Sequence, residues 1–102
     1  MITNYMIIGY GWRADFYYRI AKLLPERFSV CAGVLRTEER AKEVAHKEGV
    51  FATSDLDQAL ERKPDFAVLC VPRDVTKDYL VKLMKKGIPV LCETPPGKNV
   101  EE

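Results

Sequence analysis

The sequence predicts an α/β protein built on a doubly wound parallel sheet, and three observations lead to this. Short apolar runs alternate with amphipathic helix patterns along all 102 residues, an order typical of right-handed βαβ crossovers. The apolar runs are nearly continuous, as in strands buried on both faces. The first run leads through a glycine-rich turn directly into a helix pattern. We therefore expect the strand order 3-2-1-4-5, with a cleft between strands 1 and 4.

Strands and helices are predicted in strict alternation. The strands are the apolar runs at residues 4–8, 28–35, 50–52, 65–71 and 89–92. The fourth of these runs is the most apolar, which favours a central place in the sheet. The helices lie between the strands, and their ends are marked by Pro25, Thr37 as an N-cap, Gly49, a Ser54/Asp57 capping box, Pro64 and Gly87. After the last strand we expect a rigid turn and the start of a further helix.

Each helix pattern collects apolar residues on one face, which we expect to be buried. In the first helix, which is predicted over residues 12–24, this face consists of Phe16, Ile20, Leu23 and Leu24. In the second helix it consists of Ala41, Val44 and Ala45, with His46 interpreted as a surface residue. In the fourth helix it consists of Thr76, Leu80, Leu83 and Met84.

The composition argues against several classes of protein. The length fits one domain, and 47% hydrophobic with 30% charged residues provides both a core and a polar surface. A net charge of +1 provides no basic surface for nucleic acid. No apolar run approaches the roughly 20 residues of a membrane span, and no signal peptide is expected. We therefore expect a cytoplasmic protein that binds neither nucleic acid nor membrane.

The cysteines Cys31, Cys70 and Cys92 lie far apart, each in an apolar run. The chain has no C-x-x-C pair and a single histidine. This spacing argues against a disulfide framework and against a metal site. We interpret the three cysteines as small buried residues on strands.

The turn after the first strand has the features of a phosphate-binding loop. Gly9 allows a tight exit from the strand, and Gly11 allows the backbone to lie against a pyrophosphate. Ala14 is small enough for close packing of helix on strand, and the helix N-terminus faces the phosphates. Arg13 is interpreted either as a cation beside the phosphate or as an exposed residue. The aromatic residues of the loop are expected either to cover the cofactor or to face another domain: Tyr10 and Trp12. The alternative for the whole loop is a strand-to-helix turn without a ligand.

The end of the second strand selects the nucleotide in this fold. An acidic residue about 20 positions past the glycine turn accepts the ribose hydroxyls of NAD. Here Leu35 occupies that point, and the first carboxylate is Glu38. Arg36 and Thr37 precede this carboxylate, and Arg40 follows one helical turn later. A guanidinium can bind a 2′-phosphate through two parallel hydrogen bonds. We therefore predict NADP as the cofactor, with NAD as the alternative. The absent acid also argues against an S-adenosylmethionine site.

Several longer motifs accompany the glycine turn. They are G-Y-G-W-R-A, T-E-E-R-A-K-E-V-A, G-V-F-A-T-S-D-L, P-D-F-A-V-L-C-V-P and K-G-I-P-V-L-C-E-T-P. On these motifs essentially the whole chain resembles the N-terminal domain of the Gfo/Idh/MocA oxidoreductases, the glucose–fructose oxidoreductase and inositol dehydrogenase family. The resemblance implies an NAD(P)-binding Rossmann domain. It also implies an enzyme that transfers hydride between the nicotinamide and a sugar, polyol or related alcohol or carbonyl substrate.

Further cofactor-binding positions follow from this resemblance. Val71 and Pro72 match the family's segment on the nicotinamide side, and Glu93, Thr94 and Pro95 match its E-K-P turn. Thr94 stands in place of the lysine of that turn, and a threonine has no charge to polarise an alkoxide.

The family has a two-part chain, so residues 1–102 are expected to form the cofactor domain of a longer protein. The substrate, the catalytic acid–base residues and homo-oligomer contacts are expected in a C-terminal domain. We expect residues 1–102 to bind the nucleotide without turnover and to expose apolar surface where the second domain packs. The replacement at Thr94 leaves a second interpretation open, a non-catalytic nucleotide-binding sensor or regulatory module.

Overall fold

The computed structural model describes residues 2–9, 11–70 and 73–92, and for residues 12, 13, 73–76 and 92 it describes the backbone alone. Its parallel strands form one sheet in the order β3-β2-β1-β4-β5, which confirms the predicted topology. In chain order the elements are β1 Thr3–Gly9, α1 Trp12–Leu23, β2 Phe28–Val34, α2 Glu38–Glu48, β3 Ala52–Thr53, α3 Leu56–Leu60, β4 Phe66–Cys70, α4 Arg73–Lys85 and β5 Val90–Cys92.

The middle strand β1 supplies the centre of the protein, and its segment Met6-Ile7-Ile8 is completely buried. Its side chains alternate between the two faces of the sheet. On one face, Ile7 packs in a cluster with residues of α1 and α2. On the other face, Met6 and Ile8 pack in a cluster with residues of α3 and α4. Helices therefore cover both faces, as a doubly wound sheet requires.

The most apolar run, β4, lies inside the sheet beside β1, as the predicted strand order requires. One detail of the sheet differs from the prediction. The third strand comprises Ala52–Thr53 instead of residues 50–52. It pairs only with the carboxyl end of β2, where Leu35 N donates to the carbonyl of Thr53 at 2.9 Å. The limits of this strand are therefore set by its partner, and its apolar content does not reveal them.

The predicted buried face of α1 is wrong. Phe16 is 54% exposed, Leu23 is 77% exposed, and Leu24 is exposed as well. The helix instead packs through Ala14 and Tyr18, which are buried one turn apart on the same face. A small residue at the start lets the helix approach the sheet, and a tyrosine ring fills the space further along. The apolar pattern missed this face because neither residue is strongly hydrophobic.

The other predicted helix faces hold in part. In α2, Ala41 and Val44 are buried, and His46 is exposed as predicted. In α4, Leu83 is buried, but Met84 is 71% exposed, against the prediction. Apolar side chains are therefore exposed on two helices, α1 and α4.

The ends of α2 confirm the predicted caps. Thr37 Oγ1 accepts a hydrogen bond from the N–H of Arg40 at 3.1 Å, and Gly49 adopts the left-handed conformation with φ 69°. The last turn also carries Glu48, a residue that the sequence pattern did not single out. Its buried carboxylate accepts a hydrogen bond from Lys22 of α1 at 2.7 Å. This ion pair joins α1 and α2 at the end of the sheet remote from the glycine turn.

The cysteines are less buried than predicted. Cys31 on β2 and Cys70 on β4 are half-buried, and neither forms a disulfide. Burial raises the pKa of the Cys31 thiol, which keeps it protonated. The side chain of Cys92 lies outside the described residues. Within the described part of the chain, no helix has the length and apolar character needed to cross a membrane.

Tyr18 fits against β2 because residue 33 is a glycine. A methyl group at Gly33 would overlap the Oη of Tyr18 and lie 3.7 Å from its Cζ. A second tyrosine fixes the same helix, because Tyr5 Oη donates to the carbonyl of Tyr17 at 2.5 Å. Burial raises the pKa of Tyr5 to about 12. The position of α1 on the sheet therefore depends on Tyr5, on Tyr18 and on the absence of a side chain at the glycine, Gly33.

We expect Gly33→Ala to lower the free energy of unfolding by about 1–3 kcal/mol, because the added methyl overpacks the contact with Tyr18. Tyr18→Phe removes the overlapping oxygen, so Gly33→Ala is expected to cost less in that background. Urea unfolding of the four proteins, followed by circular dichroism, measures this double-mutant cycle. Strictly additive effects of the two substitutions would contradict the overlap.

Candidate functional site

Parallel pairing brings the loops after β1 and β2 to the same edge of the sheet. Ile8 pairs with Val34, so the turn that begins at Gly9 lies beside the segment that begins at Leu35. On the other side of β1, Gly9 pairs with Cys70, the last residue of β4. The structure thus brings together two of the segments predicted to bind the nucleotide, and the end of β4 lies next to them.

The glycine turn has a backbone that other residues rarely adopt. Gly9 has φ 101°, and Gly11 has φ 131° and ψ −173°, a region that is essentially restricted to glycine. Gly11 is also the N-cap residue of α1, and no side chain caps the helix there. No described atom lies within 4 Å of the place where a Cβ of Gly11 would stand. The turn therefore leaves open space in front of a helix N-terminus, where N–H groups and the helix dipole favour an anion.

Ala14 holds the first turn of α1 against the sheet. Its side chain is completely buried in the cluster that contains Ile7 and Val68. A larger residue would push the helix N-terminus away from the sheet. The next residue, Asp15, points outward and pairs with Arg19 at 3.4 Å. The packing of Ala14 therefore determines how close the helix start lies to the glycine turn.

The start of α2 carries the predicted basic residues. Leu35 is buried at the end of β2, whereas Arg36 is exposed. Thr37 is committed to capping the helix through its hydroxyl. Arg40 Nη1 lies 3.3 Å from the carboxylate of Glu43, and both side chains are more than half exposed. An exposed pair of this kind is weak, so an anion can compete for Arg40 at little cost.

A contact between α2 and the loop after β3 was not predicted. Glu38 Oε2 accepts a hydrogen bond from Ser54 N at 3.0 Å and a second one from Ser54 Oγ. These two hydrogen bonds lower the pKa of the Glu38 carboxyl, and the nearby Lys42 contributes attraction. The two residues are 16 positions apart, so no local sequence pattern could have revealed the contact.

The predicted Ser54/Asp57 capping box is wrong. The N-cap of α3 is Asp55, whose carboxylate accepts from Asp57 N at 2.9 Å. Ser54 is engaged by Glu38 instead. The loop is held further by Thr53 Oγ1, which accepts a hydrogen bond from Asp55 N at 3.0 Å and donates one to Gln58 Oε1 at 2.8 Å. The tertiary contact at Ser54 thus moves the cap by one residue.

Six of the predicted site residues lie outside the described residues: Tyr10, Val71, Pro72, Glu93, Thr94 and Pro95. For two more the structure describes only the helical backbone: Trp12 and Arg13. In the described part of the chain, no group of three or more His, Cys, Asp or Glu residues could hold a metal ion.

A cavity of about 670 Å³ lies between α3 and α4, away from the glycine turn. It is lined by acidic and basic side chains together, among them Asp57, Asp78 and Lys82. Among the residues that the structure describes, none of those predicted to bind the nucleotide lines this cavity. The candidate site is therefore the open edge, because nucleotides bind outside the carboxyl ends of parallel strands.

The Glu38–Ser54 contact predicts a specific dependence of stability on pH. Because the folded-state pKa of Glu38 is lowered, its contribution is complete above the ordinary carboxyl pKa of about 4.3. It is lost as the pH falls through the lowered value. We therefore expect Glu38→Ala to destabilise the protein at neutral pH, and we expect this difference from the wild type to shrink on acidification.

Urea unfolding at several pH values from about 7 to about 2.5 measures this difference. Glu39→Ala removes an acid from the same helical turn and controls for the general change in net charge. A difference between wild type and Glu38→Ala that stays constant over the whole pH range would contradict the contact.

Comparison with known proteins places this chain in a family. The model of the Gfo/Idh/MocA family, described as an oxidoreductase family with an NAD-binding Rossmann fold, matches residues 3–102. Over 103 residues the chain is 33% identical to scyllo-inositol 2-dehydrogenase (NADP(+)) IolU of Bacillus subtilis. The match covers 99% of this chain and 31% of that protein.

Solved structures share the fold. The WlbA dehydrogenase from Chromobacterium violaceum, in complex with NADH and UDP-GlcNAcA, has a TM-score of 0.80 at 16% identity, over 91% of this chain and 27% of its own. Levoglucosan dehydrogenase, in complex with NADH and levoglucosan, has a TM-score of 0.80 at 17% identity, over 93% of this chain and 28% of its own. The chain thus spans about a third or less of the length of these relatives. By its match to the family model, the chain belongs to the Gfo/Idh/MocA oxidoreductases and forms their NAD-binding Rossmann domain.

Proposed function

We propose that this chain holds a nicotinamide dinucleotide at the edge formed by the glycine turn and the start of α2. The observation that carries the proposal is the backbone of Gly11, which is strained for any other residue and faces open space at a helix N-terminus. That geometry suits a pyrophosphate. Gly9 and Gly11 would hold the phosphates, the buried Ala14 would keep the helix N-terminus close to them, and Arg36 would hold the adenosine end. The site would be completed by two residues described by their backbone alone, Trp12 and Arg13, and by six outside the described residues: Tyr10, Val71, Pro72, Glu93, Thr94 and Pro95.

In the full-length protein this domain would serve an oxidoreductase acting on a sugar, polyol or related alcohol or carbonyl compound. When bound, the cofactor supplies the hydride chemistry, and the protein supplies binding and orientation. The residues of this chain would fix the nucleotide so that its nicotinamide end points toward a substrate domain. Support comes from the family and from the relatives named as inositol and sugar dehydrogenases.

NADP is the proposed cofactor, with NAD as the alternative. The support is the exposed Arg36 directly after the buried end of β2, with Arg40 one turn on and able to leave its weak surface pair. Thr37 contributes by capping α2, which orders the first turn of the helix that carries Arg40. The relative from Bacillus subtilis is named as an NADP(+) enzyme, which agrees with this choice.

The exposed apolar side chains of α1 support a second domain. Phe16 and Leu23 lie two turns apart on one helical face, and Ile20 lies half-buried between them. A strip of this kind is a common packing surface. We therefore propose that residues 1–102 form one domain of a longer enzyme, in which a second domain binds the substrate and carries the acid–base residues. The further proposal that this enzyme is cytoplasmic and homo-oligomeric rests on the composition and on the family, not on the exposed side chains.

One observation favours a second candidate function. Thr94 replaces the lysine of the family's E-K-P turn, and a neutral hydroxyl cannot provide the same charge stabilisation. A nucleotide-binding sensor or regulatory module would need no such charge. The two functions differ in one measurement: the full-length protein either oxidises sugars or polyols with NADP or NAD, or binds the nucleotide without turnover.

Gly11→Ala tests the glycine turn. We expect it to weaken NADPH binding about tenfold or more, because a side chain displaces the phosphate and its main-chain hydrogen bonds. Strain at this φ is expected to lower the free energy of unfolding by about 1–3 kcal/mol. Isothermal titration calorimetry measures the first effect and urea unfolding the second.

The matched control is Gly49→Ala. Gly49 also has a positive φ and open space around it, but it ends α2 at the opposite end of the sheet. Its replacement should lower stability by about 1 kcal/mol and leave the affinity for NADPH unchanged. Equal affinities of the wild type and Gly11→Ala for NADPH would refute the proposed phosphate site.

Arg36→Ala tests the cofactor preference. We expect the Kd for NADPH to rise about ten- to a hundredfold, because the variant loses a charge-assisted hydrogen bond to the 2′-phosphate. The Kd for NADH should stay the same, because NADH has no such phosphate. Arg27→Ala removes an equal charge from the turn before β2, at the other end of the sheet, and should change neither Kd. Tighter binding of NADH than of NADPH by the wild type would overturn the NADP assignment.

A further inference from the structure

Glu38 is the acidic residue nearest in the sequence to Leu35, the position that selects the nucleotide in this fold. It is the first acidic residue after the buried end of β2, and it begins α2 between Arg36 and Arg40. A carboxylate in this region accepts hydrogen bonds from the ribose hydroxyls of NAD and repels a 2′-phosphate. The carboxylate of Glu38 would therefore favour NAD, whereas Arg36 and Arg40 favour NADP, unless the carboxylate is kept away from the ribose.

The strand order shows where the carboxylate goes. In the order β3-β2-β1, the glycine turn follows β1 on one side of β2, and Ser54 follows β3 on the other side. Glu38 Oε2 accepts hydrogen bonds from both the backbone N–H and the hydroxyl of Ser54. The side chain of Glu38 is therefore drawn across the end of β2 in the direction opposite to the glycine turn.

The loop that holds Glu38 is itself well fixed. Thr53 Oγ1 accepts a hydrogen bond from Asp55 N at 3.0 Å and donates one to Oε1 of Gln58 in α3 at 2.8 Å. Leu35 N donates to the carbonyl of Thr53, which ties the loop to the end of β2. Ser54 therefore presents its two donors from a preorganised position. Because the loop is already ordered, it loses little conformational entropy when the contact with Glu38 forms.

We propose that Ser54 is a positioning residue for cofactor selectivity, because it withholds the Glu38 carboxylate from the ribose and leaves Arg36 as the charge that meets the nucleotide. This inference rests on the proposed nucleotide site. Ser54 itself touches no cofactor in this arrangement. Its effect on binding passes entirely through Glu38, which gives the proposal a distinctive signature in a double-mutant cycle.

Ser54→Ala is the first test. Loss of the hydroxyl leaves only the backbone N–H of Ser54 to hold the carboxylate, so the carboxylate is held less firmly. The Kd for NADH should therefore fall and the Kd for NADPH should rise. We expect the ratio of the two constants to move toward NADH by about tenfold, the effect of one hydrogen bond with a charged acceptor. Ser54→Thr keeps the hydroxyl and should retain the wild-type ratio. Calorimetric titration of each variant with NADPH and NADH provides the constants.

The same substitution in a Glu38→Ala background is the decisive comparison. Without the carboxylate, Ser54→Ala should leave the ratio unchanged, whereas a purely structural role of Ser54 would change binding equally in both backgrounds. Glu38→Gln is an independent variant that keeps an acceptor oxygen for Ser54. Because the wild-type carboxylate is withheld, Glu38→Gln should leave the Kd for NADH unchanged, and a tenfold loss would show that Glu38 contacts the ribose and overturn the proposal.

The outcomes separate this inference from the proposed function. If the wild type binds NADPH and Ser54→Ala keeps the same ratio, the positioning role falls and the nucleotide site stands. If the wild type binds neither nucleotide, the proposed site falls and this inference falls with it. Thermal unfolding of each variant shows that the compared proteins are folded at the temperature of the titration.

Discussion

The pairing of β1 between β2 and β4 is the constraint on which the rest of the structure depends. Its central residues are completely buried, and backbone partners on both sides hold Ile8 opposite Val34 and Leu69. Because all three strands run in parallel, their carboxyl ends meet at one edge of the sheet. The glycine turn, the start of α2 and the end of β4 become neighbours only through this register, although they are far apart in the sequence.

The first helix must then lie so that its N-terminus reaches the same edge. Close packing of Ala14 near the turn and of Tyr18 against the side-chain-free surface of Gly33 determines its position. Tyr5 adds a hydrogen bond to the backbone of the same helix. The consequence is that the larger apolar residues Phe16 and Leu23 point to the outside. The packing that brings the helix N-terminus to this edge therefore also leaves large apolar side chains of α1 exposed.

Charge at the start of α2 is organised by two kinds of interaction. The cap at Thr37 is local, and it orders the helix turn that carries Arg40. The contact between Glu38 and Ser54 crosses from α2 to the loop after β3, and it decides the direction of a carboxylate. Hydrogen bonds to a charged acceptor are among the stronger ones in proteins. In the proposed arrangement, a single serine after a neighbouring strand therefore determines whether the carboxylate or the arginines meet the nucleotide.

The sequence by itself determined the alternation of strands and helices, the strand order, the caps of α2 and the family, because these depend on local periodicity, glycine and proline positions and short motifs. Tertiary structure alone decided which face of α1 is buried, where β3 lies and which residue caps α3. Those features depend on partners remote in the sequence: Gly33 for Tyr18, β2 for β3, and Glu38 for Ser54. A pattern within one segment contains no information about the surface that the segment will meet, which is why the glycine turn could be predicted and the contact that holds Glu38 could not.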